Sequence, residues 1–196
     1  YYAIRGFIMQ KFRFNDEVHE YQRFIRENIK IFGDMLLITE QLYIQGNNTC
    51  IIDILLLNNN SKRLVVLELK NILSNDKMIW QPIRYYDYLR RTEDSLKQLL
   101  VLKKNEINFN IDEIDFNPEV ILVVPEFDKQ LLRSLSYIND IDLKIVKLNL
   151  LISNNKFEIV KEIYNLSGIY FKEDLVTVKE KVSKVWNFAE YLKEGG

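Results

Sequence analysis

Apolar residues recur with two different periods along the chain, and the switches between those periods mark its elements. Over residues 15–32, NDEVHEYQRFIRENIKIF, the residues Val18, Tyr21, Phe24, Ile25, Ile29 and Phe32 follow three- and four-residue spacing. That spacing predicts an amphipathic helix, with Asn15 or Asp16 to cap its start and Gly33 to end it. Three strand-like runs follow, at 35–44 (MLLITEQLYI), 49–57 and 63–70, separated by the turn-rich stretches QGNN and NNNSK. Connections this short predict an antiparallel meander. The helical period returns over 79–104, where Pro82 is tolerated because it falls in the first turn. Beyond the acidic stretch NEINFNIDEIDFNPE, VILVVP at 120–125 reads as a buried strand, 127–138 as a helix and 142–149 as another strand, a β-α-β unit. A strand over 156–164, a closing helix over 176–193 and an edge strand within 1–12 complete the pattern. This order predicts a mixed α/β sheet with helices on both faces.

Charged residues inside two of the strands break that pattern. CIIDILLL, 50–57, is apolar apart from Asp53, and RLVVLELK, 63–70, reads as core until it reaches Glu68 and Lys70. Side chains alternate faces along a strand, so Glu68 and Lys70 share one face and Leu69 takes the other. Asp53 lies on the antiparallel neighbour across a short turn, where the three groups can converge. Burying a carboxylate is costly, and a second one beside it adds repulsion that drives one of the pair to hold a proton. Positive charge has to offset this. Lys70 brings one charge; a divalent cation would bring two and accept oxygens from Asp53, Glu68 and the Leu69 carbonyl. An all-oxygen ligand set favours Mg²⁺ or Mn²⁺ over zinc. Such a cation polarises a phosphoryl oxygen and lowers the pKa of a water, while Lys70 orients that water or neutralises the phosphate. This is the outline of a phosphodiester-hydrolysing site.

Composition narrows the alternatives. The 196 residues suffice for one substantial domain, and 47% hydrophobic with 28% charged residues is ordinary for a soluble globular chain. A net charge of −1 and a pI near 6.0 give no global positive field, so binding to nucleic acid must use a local patch. The lone cysteine, Cys50, excludes an internal disulfide and suits a reducing compartment, and the lone histidine, His19, leaves no material for a His-rich zinc site or a Ser-His-Asp triad. No apolar run reaches the roughly 20 residues of a membrane span, and the start, YYAIRGFIMQKF, lacks the apolar region of a signal peptide. The expected location is the cytoplasm. The chain opens without methionine, which leaves room for neighbouring domains outside it.

IID at 51–53, ELK at 68–70 and QPIRY at 81–85 together resemble the PD-(D/E)XK nuclease superfamily, whose RecB-like members add Gln-x-x-x-Tyr on the helix after the lysine strand. Gln81 and Tyr85 match that element with nothing inserted, and their four-residue spacing puts both on one helical face. With VHEYQRFIRENIKIFGDMLLI before the first acid and EVILVVPEFDKQLLRSL after the helix, the layout over roughly 15–150 is similar to NucS-like nuclease domains and their defence-associated relatives. The resemblance implies a restriction-endonuclease-like fold: a mixed sheet flanked by helices, with an αβββαβ core and an added αβ unit. It implies a single nuclease-like domain over 1–196, in which 151–196 form a strand and helix extension.

By the same resemblance Asp53 and Glu68 are metal ligands with the Leu69 carbonyl, Lys70 is the catalytic lysine, and Gln81 and Tyr85 shape the site and contact the substrate backbone. The family usually adds an acid from the first helix. Glu17 lies nearer the apolar stripe and Glu20 at the better offset from RFIREN, and the preference here is Glu20. Two positions depart from the family: Cys50 stands where many RecB-like members have glycine, and Ile52 replaces the proline of the superfamily's name. Neither departure removes a ligand.

Trp80 and tyrosines 85, 86 and 88, interleaved with Arg84, Arg90 and Arg91, offer an aromatic and basic wall that can stack bases or hold phosphates, with Arg84 the first candidate for substrate contact. His19 reads as a surface residue, and the mixed charges of 172–181 as a solvated face. The expected function is Mg²⁺- or Mn²⁺-dependent hydrolysis of DNA, with a homodimer able to cut both strands. The alternative is a catalytically inactive nuclease-like module that binds nucleic acid or a protein partner. A third possibility is a structural ion pair of Lys70 with Glu68 or Asp53.

Overall fold

A computed structural model of the chain describes residues 2–4, 7–44, 50–74, 76–135, 137–138, 140–153, 156–165 and 178–183. Strands β1 (Tyr2–Ile4) and β2 (Phe7–Phe12) pair antiparallel, so the edge strand expected within 1–12 is a pair of strands. The first helical stretch is three tight pieces rather than one α-helix. A π-turn, Glu17–Gln22, is closed by the Tyr21 N–H on the Asp16 carbonyl at 3.0 Å; α1 (Arg23–Glu27) and a 3₁₀ turn (Ile29–Phe32) follow. Asp16 caps the start, its carboxylate accepting the His19 N–H at 2.6 Å. Gly33 ends the run at φ 117°, a conformation that a residue with a side chain rarely adopts.

The meander is as expected. Strands β3 (Met35–Ile44), β4 (Cys50–Asn58) and β5 (Arg63–Leu69) pair antiparallel in sequence, with Ile38 as an extra residue where the β3–β4 register shifts. After the short β6 (Leu73–Ser74), the predicted 79–104 helix is two helices, α2 (Trp80–Arg91) and α3 (Glu93–Leu102). The break falls at Thr92, whose hydroxyl donates to the Tyr88 carbonyl at 2.8 Å and so competes with the helical ladder. Then come β7 (Asp115–Val124), β8 (Glu126–Phe127), α4 (Lys129–Leu135), β9 (Leu143–Ser153) and β10 (Lys156–Asn165). The closing helix over 176–193 is not what forms at its start: Val178–Ser183 is strand β11, antiparallel to β10, and the rest of that span lies outside the described residues. Val178 and Val182, both β-branched, are good strand formers.

Strands β5, β7 and β9 run parallel to one another, and β3, β4, β2, β10 and β11 are antiparallel to their neighbours, in a nine-stranded sheet ordered β1-β2-β9-β7-β5-β4-β3 with β10 and β11 beyond β9. This is the mixed α/β sheet predicted, with the αβββαβ order of its core intact. Alternation along the strands divides the core into two layers. Leu55, Leu57, Leu64, Val66, Val120 and Leu122 pack under α2, α3 and α4; Ile54, Leu56, Val65, Leu67 and Ile121 pack under the π-turn and α1. By this alternation Asp53 and Glu68 belong to the α2 face. No helix among the described residues is long and apolar enough to cross a membrane.

Candidate active site

The β4–β5 ladder stops at the pair Ile54 and Leu67, and the site lies where the two strands splay beyond it. There the Leu69 N–H donates to the Asp53 carboxylate at 2.8 Å, so a side chain occupies the place of a backbone rung. One residue on, Lys70 N–H bonds to the Val123 carbonyl at 2.9 Å, which anchors the end of β5 to β7. Glu68 is 1% exposed, and Lys70 Nζ stands 2.5 Å from its Oε1. The three groups that the sequence singled out therefore meet on one face.

The helix acid at this site is Glu17, not Glu20. Glu17 Oε2 accepts the Asn71 N–H at 2.7 Å, and Oε1 lies 3.8 Å from Lys70 Nζ. Glu20 instead accepts the Asn15 N–H at 2.8 Å and secures the loop ahead of the π-turn. The offset argument assumed α-helical geometry; closure over five residues rotates the start of the helix and brings Glu17 to the sheet.

Tyr85 reaches the site from below. It is 0% exposed, and its hydroxyl donates to the Ile51 carbonyl at 2.6 Å while lying near Glu68. It therefore supports the acids and cannot touch a substrate, which corrects the substrate-contact half of its expected role. Gln81, one turn earlier on α2, is half-buried. Arg84 and Trp80 are exposed, Arg91 pairs with Asp87 at 2.8 Å, and Arg90 lies 5.5 Å from the Tyr86 ring centroid. Tyr86 bonds Asn117 at 2.6 Å, so the aromatic wall divides into a buried half and an exposed Trp80–Arg84 half.

Electrostatics at the site favour an added cation. Burial pushes Glu68 up to about 7, with the Asp53 charge adding to the rise and Lys70 opposing it. A rise from 4.5 to about 7 amounts to a preference for the protonated form on the order of 3 kcal/mol. Asp53 is raised as well, chiefly by burial, which outweighs the Leu69 amide and Lys70. Burial works against the Lys70 ammonium too, but Glu68, Glu17 and Asp53 hold its pKa above the ordinary value, so Lys70 is charged at neutral pH. Three carboxyls surround that single ammonium.

Neither Glu68 oxygen receives a well-directed hydrogen bond from the described residues, the Lys70 contact being close but not aligned as one. A buried carboxylate with unsatisfied oxygens, converging with that of Asp53, fits a hard divalent cation. No cluster of three or more His, Cys, Asp or Glu side chains able to hold a metal occurs among the described residues. The protein's share of the ligands would thus be Asp53, Glu68 and the Leu69 carbonyl, with waters and substrate oxygens supplying the remainder, as Mg²⁺ tolerates.

Cation binding requires the ionised carboxylates, so Mn²⁺ affinity is expected to climb steeply between pH 5 and pH 8, through the Glu68 value of about 7. In Tyr85→Phe the affinity falls at every pH, because the Ile51 carbonyl loses its partner and the strand carrying Asp53 is held less firmly. Calorimetric Mn²⁺ titration across the pH range reads both effects.

Gln22 and Gln41 were not anticipated. Gln22 is 4% exposed and donates to the Asp53 carbonyl at 3.0 Å, and Gln41 donates to Gln22 at 2.6 Å. A polar residue between Tyr21 and Phe24 in the apolar stripe was the available signal.

No family model matches the chain, and no curated protein matches it. Among solved structures, the chain is similar to the crystal structure of a repair endonuclease from Pyrococcus abyssi, with a TM-score of 0.43 and 18% identity. The match covers 67% of this chain and 47% of that one, so the chain spans about half the length of that structure.

Proposed function

We propose that the chain is a metal-dependent nuclease domain of PD-(D/E)XK type, with RecB-like and NucS-like features, that hydrolyses DNA phosphodiesters with Mg²⁺ or Mn²⁺. The observation that carries this reading is the meeting of Asp53 and Glu68 at the β4–β5 splay, with Glu68's oxygens buried and unsatisfied beside Lys70. A module that had lost catalysis would gain stability by neutralising such a cluster.

Asp53 and Glu68 would hold a divalent cation, which would supply positive charge to the phosphoryl oxygens and lower the pKa of a water. Lys70, held charged, donates hydrogen bonds to that water or to the phosphate as negative charge builds on it. Glu17 fixes Lys70 from the other side and ties the π-turn to the end of β5 through Asn71. Tyr85 holds the strand carrying Asp53 by the Ile51 carbonyl. Gln81 and the exposed Arg84 lie on the helix that leaves the site and are suited to the substrate backbone.

The 2.5 Å contact of Lys70 with Glu68 also favours a second reading, a structural ion pair without catalysis. Incubation with single-stranded, duplex and branched DNA in Mg²⁺ or Mn²⁺ separates the two. Cleavage that stops on chelation is expected; an inert wild-type chain on all three substrates would overturn the nuclease reading.

A further inference from the structure

Asp53 lacks a partner across the sheet where the register provides one. The β3–β4 ladder pairs Glu40 with Ile54 and Leu42 with Ile52, so Gln41 lies opposite Asp53, yet no Gln41–Asp53 pair forms. Gln41 is held at φ 50°, a left-handed conformation that costs energy in a residue with a side chain and persists only where its surroundings impose it.

Side chains replace the lost rung. The Asp53 carbonyl accepts from Gln22 Nε2 at 3.0 Å, and Gln22 Oε1 accepts from Gln41 Nε2 at 2.6 Å. Gln22 is 4% exposed, so both halves of its amide depend on these partners. The substitution frees Asp53 from β3 at the same residue where β4 leaves β5, and its carboxylate then takes the Leu69 N–H at 2.8 Å. Gln22 also belongs to the π-turn that carries Glu17, whose carboxylate grips the Asn71 N–H at 2.7 Å. One turn of helix thereby clamps both acid-bearing strands, β4 through a carbonyl and the end of β5 through an amide.

We infer that Gln22 and Gln41 are positioning residues: their side-chain bridge stands in for a backbone rung and sets where the Asp53 carboxylate lies relative to Glu68. The consequence for catalysis rests on the nuclease reading; the bridge itself does not.

The test uses the whole chain without cation, then with Mn²⁺. Gln22→Met keeps the length of the side chain and removes both polar ends. Gln41→Gly accepts the left-handed backbone freely, so a purely conformational role for Gln41 leaves the site unchanged or tighter. The bridge predicts that in both variants the Leu69 amide exchanges about tenfold faster with solvent while the Leu67 amide keeps its protection. It also predicts that Mn²⁺ affinity falls by about tenfold, as loss of an outer hydrogen bond to a ligand does. A Leu69 exchange rate equal to wild type in Gln41→Gly overturns the inference, and that variant decides the matter if Gln22→Met does not fold. A wild type that cuts no DNA overturns the nuclease reading alone, because the exchange comparison needs neither cleavage nor metal.

Discussion

Lys70→Ala is expected to slow DNA cleavage on the order of 10²–10³-fold, the effect of removing one donor aimed at charge that develops in the transition state. Lys70 is 16% exposed at its side chain, is flanked by Glu68 at 2.5 Å and Glu17 at 3.8 Å, and is kept protonated by them. It therefore acts as a fixed positive charge rather than as a base. Its loss also removes a charge that lowers the Glu68 pKa, so Mn²⁺ binding weakens at neutral pH and recovers as the pH is raised. Cleavage rate and calorimetric affinity measured at two pH values separate these contributions. If the rate deficit vanishes once Mn²⁺ saturates the variant, Lys70 serves only to help the acids ionise. Equal cleavage by wild type and variant under all conditions would remove Lys70 from the chemistry altogether.

The residues that could be found from sequence were those whose position depends only on strand alternation. Asp53, Glu68 and Lys70 interrupt apolar runs, and period two fixes their face without reference to the rest of the fold. The antiparallel meander was equally legible, because short turn-rich loops leave β3, β4 and β5 little choice of neighbour. Glu17 was harder to separate from Glu20, since the decision turns on whether the chain closes over four residues or five, and both closures accept the same apolar stripe. Tyr85 was found by its spacing, but that spacing could not show that the side chain is wholly covered by the sheet. The bridge between Gln22 and Gln41 was out of reach for a different reason. They are 19 residues apart, and their link exists because a ladder rung between Gln41 and Asp53 is missing, a long-range event with no local signature.

Glu68→Gln is expected to abolish Mn²⁺ binding and cleavage and, in the absence of cation, to make the chain more stable at pH 8. The sign follows from the direction of the Glu68 shift. Its folded-state pKa of about 7 lies above the ordinary 4.5, so the folded chain binds this proton more tightly than the unfolded chain does. The associated stability is fully present below pH 4.5 and is lost as the pH rises through about 7. At pH 8 wild type bears a buried carboxylate beside Asp53, whereas the glutamine variant carries a neutral amide in its place. At pH 4 the side chain holds its proton in both the folded and the unfolded wild type, and the two melting temperatures should nearly coincide. A difference on the order of 3 kcal/mol at pH 8 corresponds, for a chain of this size, to about 6–12 °C. Saturating Mn²⁺ should close that gap by raising wild type and leaving the variant unmoved. A variant that instead melts below wild type at pH 8, with Mn²⁺ affecting neither, would mean that Glu68 and Lys70 are a structural ion pair and that the cluster is not a metal site.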